Sequence, residues 1–197
     1  CIKAVPDASI DLLFNIGENK VSTYISGTVF GVKKWELGTQ DDCFGVRFQP
    51  GQGILPKDIT MEMIVNDDIE IDGDIFGKNL TEKIALAKTM SERIDIFKKA
   101  YEDIVLGRSS LSDKEKINEY LVNRISRTKG MITMRQLEDE TNYSACYLRR
   151  IFKSFHGISP KQFAQYIRFQ NLLMQADKEG VRYEQVALDC GYYDEPH

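Results

Sequence analysis

With 197 residues, 42% of them hydrophobic and 28% charged, the chain can build one large core or two small ones and has an ordinary globular composition. It contains no run of 18 apolar residues, and no basic segment followed by an apolar one opens it, so neither a membrane-spanning helix nor a secretory leader is expected. The net charge of −4 divides unevenly, with 13 basic and 18 acidic side chains in residues 1–112 against 13 and 12 in residues 113–197.

The second half leans in the direction that a nucleic-acid partner needs, but charge alone does not identify one. Within 131–175 there are six basic residues and three acidic ones, the latter contiguous at Glu138, Asp139 and Glu140. The four cysteines (Cys1, Cys43, Cys146 and Cys190) form no C-x-x-C pair. Their spacing argues against a zinc site and for reduced thiols, hence a cytoplasmic protein.

Residues 1–77 read as β. Ile10–Ile16 is apolar and flanked by turn formers, and Gly17-Glu18-Asn19 can close a hairpin into Lys20–Ile25. Short strands are expected around Thr28–Leu37 and Cys43–Phe48, the latter ended by Gln49-Pro50-Gly51. This pattern predicts a small barrel or sandwich. Arg47 on a strand face reads as structural rather than as an anion receptor, and Trp35 either lines a pocket or fills a core.

From Asn79 the period becomes helical. Ile94, Phe97, Tyr101, Ile104 and Val105 share one face of a helix running from about Ser91 to Gly107. The polar stretch 107–112 reads as a linker. Asp113 can cap the next helix, whose apolar face carries Ile117, Tyr120, Leu121 and Ile125. Thr133-Met134-Arg135-Gln136 is a capping box for a helix ending near Thr141, and Ser144 can cap one carrying Leu148, Ile151, Phe152 and Phe155 inward. Ser159-Pro160-Lys161-Gln162 is a second capping box with proline at the first helical position. Its helix points Phe163, Tyr166, Ile167 and Leu173–Met174 inward, and Tyr183–Asp189 starts another after it. Tyr192 and Tyr193 read as packing residues, and His156, beside Gly157, as an exposed loop histidine. Helix, tight turn at Asn142-Tyr143, helix is the spacing of a helix-turn-helix unit.

The stretch YSACYLRRIFKSFHGISPKQF, followed by IRFQNLL, resembles the first helix-turn-helix of the AraC/XylS family. The matching residues are Ser144, Leu148, Arg150, Phe152, Gly157, Ser159, Pro160, Phe163 and Arg168. EQVALDCGYYDEPH resembles the start of that family's second unit, through Val186, Ala187, Gly191, Tyr192 and Asp194. A shorter likeness to the sensor half of an AraC-type subgroup lies in PDASIDLLF and FGVRFQPG. The sequence departs from the family at Glu138 and Leu172, where small residues are usual, and at Asn142, where glycine is usual. Asparagine tolerates the left-handed backbone of such a turn.

The resemblance implies an α+β chain, with a β-rich, barrel- or sandwich-like effector or sensor domain over 1–107 ending in a helical connector. An all-α helix-turn-helix domain over 113–197 would follow. It also implies a fragment, with the second reading helix represented only by Asp194–His197. The implied function is sequence-specific transcription regulation on double-stranded DNA, with a small-molecule effector and an RNA polymerase contact or homodimer as further partners. Base-reading side chains are placed at Cys146, Arg149 and Arg150, beside Ala145, and His197 falls in the second reading helix. Lys153 and Lys161 suit phosphate contacts. For Arg150 an ion pair with Glu138 or Glu140 is an equal alternative to a base contact, and Arg168 reads as structural.

An enzyme is disfavoured. Residues 1–150 hold no histidine, which removes a histidine-built metal site there, and the aspartates Asp11, Asp41, Asp42 and Asp67–Asp74 follow no cation-loop pattern. No catalytic residue, metal or cofactor is expected. The competing reading is a helical protein–protein interaction module attached to a cupin-like ligand-binding domain.

Overall fold

Apolar and polar residues alternate along IDLLFNI, and that segment forms a strand whose Ile10, Leu12 and Phe14 are buried. The computed structural model describes residues 2–4, 6–18, 20–35, 42–50, 52–107, 110–178, 180 and 182–192. Its contacts divide the chain into two units, residues 1–111 and 112–197.

In chain order the first unit has β1 (Ile2–Ala4), β2 (Ile10–Ile16), β3 (Val21–Ser26), β4 (Lys33–Trp35), β5 (Asp42–Phe48), α1 (Met61–Ile64), β6 (Asp68–Ile71), a 3₁₀ turn (Gly73–Phe76), α2 (Leu80–Leu86) and α3 (Met90–Leu106). The hairpin joins β2 to β3 in the register Ile16↔Val21, and the Gly17 amide donates to the Lys20 carbonyl at 3.1 Å. A four-stranded antiparallel sheet results, in the order β5-β2-β3-β6, while β1 and β4 form a separate antiparallel ladder.

The sheet is open, so the unit is not a closed barrel. Four strands are too few to close around a core, since small barrels need about eight. Between β5 and β6 the chain also leaves the sheet through a loop and α1, within the stretch 1–77 that reads as β from the sequence. β6, whose sequence DIEI alternates acids with isoleucines, is an element the sequence reading omits, and among the described residues of the expected strand Thr28–Leu37 only Lys33–Trp35 is strand. The Trp35 side chain lies outside the described residues.

Helix α3 supplies the other half of this core. The Phe97 ring lies among Phe14, Phe44, Phe48 and Tyr101 with centroid distances of 6.1–6.4 Å. The inward stripe of α3 is Arg93, Ile96, Phe97, Ala100, Tyr101 and Ile104, whereas Ile94 and Val105, expected inward, are exposed. The helix is rotated because Arg93 takes the first inward position. Its stem is buried and its guanidinium forks onto the Asp42 carboxylate of β5, with Nη1 donating to Oδ1 at 2.8 Å. Arg47 is held by Asp7 and Asp11, at 2.9 and 2.7 Å.

The second unit is helical: α4 (Asp113–Arg127), α5 (Met134–Thr141), α6 (Ala145–His156), α7 (Pro160–Ala176) and α8 (Tyr183–Asp189). Ser112 rather than Asp113 caps α4, in a capping box with Glu115. Both capping boxes named from the sequence form, at Thr133–Gln136 and Ser159–Gln162. The core consists of Leu121, Ile125, Leu137, Leu148, Ile151, Phe152, Ile158 and Phe163. Tyr120, Leu173, Met174 and Tyr192, expected inward, are exposed, and Phe155 is only half-buried. The buried residues of α7 all lie in its first turns, and beyond them its packing against α8 runs through Asn171 and Gln175, which donate to the Cys190 sulfur.

Replacing Phe97 by alanine should destabilise the first unit by about 3–5 kcal/mol. Ile94→Ala should cost less than about 0.5 kcal/mol. Urea denaturation followed by tryptophan fluorescence and far-UV circular dichroism reads both, and equal costs would mean that α3 is rotated otherwise.

Candidate nucleic-acid interface

The turn between α5 and α6 is set by Asn142, which adopts φ 58° and caps α5 through its amide bond to Glu138 O. Ser144 then starts α6, its hydroxyl accepting from the Tyr147 amide. The Glu138 carboxylate accepts from the Ala145 amide at 2.5 Å, so an acid on α5 also caps the N-terminus of α6. Gly157, at φ 68°, ends the helix in a left-handed conformation that a side chain would strain.

Because Leu148, Ile151 and Phe152 are buried, the residues at the opposite phase face solvent. These are Cys146, Arg149, Arg150 and Lys153, all exposed and spaced i, i+3, i+4 and i+7 along one face of α6. Four of the sequence-named residues are thereby brought together. Ala145 is half-buried in the first turn with its amide engaged. Lys161 is exposed in the first turn of a different helix, α7, and His197 lies outside the described residues.

The acidic candidates for pairing with Arg150 are occupied. Glu140 accepts from Arg124 Nε at 2.8 Å and from the Tyr120 hydroxyl at 2.7 Å, and these bonds hold its carboxyl below the usual range. Glu138 serves Ala145. The Arg150 guanidinium instead lies over the Tyr147 ring, 5.4 Å from its centroid, and Tyr147 in turn packs on Tyr143 at 5.1 Å. Arg149 makes no ion pair among the described residues. Arg168 has the structural role expected of it, donating to Gly130 O at 3.3 Å and so fastening α7 to the end of α4.

His156 is not an exposed loop residue but the last residue of α6, and it is 3% exposed. Its ring lies tilted 4.2 Å from that of Phe152 and stacks on Phe163 at 5.9 Å, and its Nε2 lies 2.9 Å from Asn118 Oδ1 on α4. With hydrogen on Nε2 the neutral ring donates to that oxygen. Burial pushes its pKa down to about 4. Sequence reasoning missed this pair, although both signals were present: Asn118 sits within the apolar stripe of α4, and His156 follows Phe152 by one helical turn.

Among the described residues no helix is long and apolar enough to cross a membrane, and no group of three or more His, Cys, Asp or Glu is placed to hold a metal ion. No protein-family model, curated protein or solved structure matches this chain.

A histidine held neutral in the fold but ordinary when unfolded costs stability as the pH falls below about 6.5, because the unfolded chain then binds a proton that the folded one refuses. Between pH 7 and pH 5 the second unit should lose about 2 kcal/mol from His156 alone. His156→Gln should flatten that slope. Urea titrations of both proteins at the two pH values measure it, and parallel slopes would show that the imidazole is not buried neutral.

Proposed function

We propose that this chain is a sequence-specific DNA-binding regulator of the AraC/XylS type, with residues 1–111 acting as its sensor for a small-molecule effector. The observation that carries the reading is the exposed face of α6, which sets Arg149 and Arg150 beside Cys146 and Lys153 on a helix whose other face is locked in a core. A rigid helix of this width fits the major groove of B-DNA, and a guanidinium can donate two parallel hydrogen bonds to guanine O6 and N7.

In this reading Arg149 is the base reader. Arg150, held over Tyr147, either reaches a base or supports Arg149 from the side. Lys153 and Lys161 contact phosphates, which position the helix without reading sequence. The effector alters DNA binding from the sensor unit, and association with RNA polymerase or a second copy belongs to the same proposal.

The competing protein–protein module is separated by salt. Phosphate contacts release counterions, so DNA affinity falls steeply with salt concentration, by about 0.9 log unit per log unit of salt for each phosphate neutralised. Selection of duplexes from a randomised pool followed by titration at several salt concentrations is the direct test. Arg149→Ala should weaken binding to the selected duplex roughly ten- to a hundredfold and relax preference at one base position. Lys161→Ala should instead weaken all duplexes alike and make the salt dependence shallower. Enrichment of no sequence, with binding insensitive to salt, would favour the protein-docking alternative.

A further inference from the structure

The exposed face of α6 has an uneven profile. Leu148, Ile151 and Phe152 fix which side of the helix turns inward. At about 100° per residue their mean direction lies roughly 190° from Cys146, so Cys146 points almost straight away from the core. On the same count Arg149 stands about 60° to one side of it and Arg150 about 40° to the other. Lys153 shares the direction of Cys146 but lies two turns further along. In the first turn of α6 the middle of the face is thus a short side chain between two long ones.

The chemistry available at that position is narrow. Cys146 is exposed, forms no disulfide and has no hydrogen-bond partner among the described residues. A thiol is a weak donor and a weak acceptor, and it packs as a small apolar group. Base edges in the major groove offer hydrogen-bonding groups and one apolar feature, the C5 methyl group of thymine. The head of the helix does not compete for the contact, because Glu138 takes the Ala145 amide and sets an anion where a phosphate would otherwise dock. The flanking arginines narrow the choice further. A 5-methylcytosine carries the same methyl group, but beside it lies the N4 amino group, a donor that a guanidinium cannot satisfy. Thymine presents the O4 acceptor there instead.

We propose that Cys146 reads the C5 methyl group of a thymine next to the guanine read by Arg149. The two residues are about 4.5 Å apart along the helix axis, close to the roughly 3.4 Å between stacked base pairs, so they address neighbouring pairs. The assignment rests on the DNA-binding reading of α6 and adds to it the identity of one base pair.

The test uses the full chain and a duplex that it enriches from a randomised pool. That duplex should carry a thymine beside the guanine whose preference Arg149→Ala relaxes. Replacing this thymine by deoxyuridine removes only the methyl group and should weaken binding about fourfold, the effect of returning one methyl group to water. Cys146→Ser should bind the thymine and deoxyuridine duplexes alike, with an unaltered salt dependence and melting temperature, whereas Cys146→Ala should keep the preference. With the pair changed to C·G, methylating the cytosine should strengthen binding by a similar factor without reaching the thymine duplex. Equal binding of thymine and deoxyuridine by the parent, an unchanged preference in Cys146→Ser, or tighter binding of 5-methylcytosine than of thymine would each overturn the proposal. Enrichment of a duplex that is indifferent to the methyl group removes this assignment alone. Enrichment of none removes the DNA reading and the assignment with it.

Discussion

Helix α6 can present four residues to solvent in one fixed orientation only because its opposite face cannot turn. Leu148, Ile151 and Phe152 are sealed into the core of the second unit, and rotation by one residue in either direction would carry an arginine, Arg149 or Arg150, into it. An uncompensated charge there would cost far more than the hydrophobic contacts return. The last turn adds a directional lock, because His156 meets Asn118 by a hydrogen bond that hydrophobic packing alone would not specify. The turn before the helix, the cap at Ser144 and the stop at Gly157 all serve this one orientation. The functional proposal depends on it, since a base-reading side chain is useful only if its backbone does not wander.

The helical half was largely legible in the sequence. Capping boxes, a proline at a first helical position and glycine stops are local signals, and they fixed the starts of α5, α6 and α7. What escaped was long-range. That His156 is buried depends on Asn118, 38 residues away, and that Glu138 serves Ala145 depends on the angle between two helices. Arg93 misled for a similar reason. Period counting scores arginine as outward, while its stem replaced an aliphatic side chain and its head found Asp42 across the core boundary. The sheet was legible strand by strand but not as a whole, because closure depends on how many strands pair.

The two units solve the burial problem differently. The first gathers phenylalanines from two strands and a helix into one aromatic cluster, with Phe97 against Phe14, Phe44 and Phe48, and Phe14 against Phe44. The second unit packs Phe152 and Phe163 with aliphatic residues between its helices and ties the helix ends with polar pairs, Arg124 to Glu140 and Arg168 to Gly130.

The carboxylate of Glu138 at the head of α6 has a consequence for approach. Helix N-termini ordinarily attract phosphate through their free amides and positive dipole end. Here one of those amides is taken and an anion stands in its place. A polyanionic surface is thus repelled at the tip of this helix and attracted along its flank, where Arg149, Arg150 and Lys153 lie. The helix is in effect polarised across its axis rather than along it, so under the proposed function its encounter with a duplex would be broadside rather than head-on.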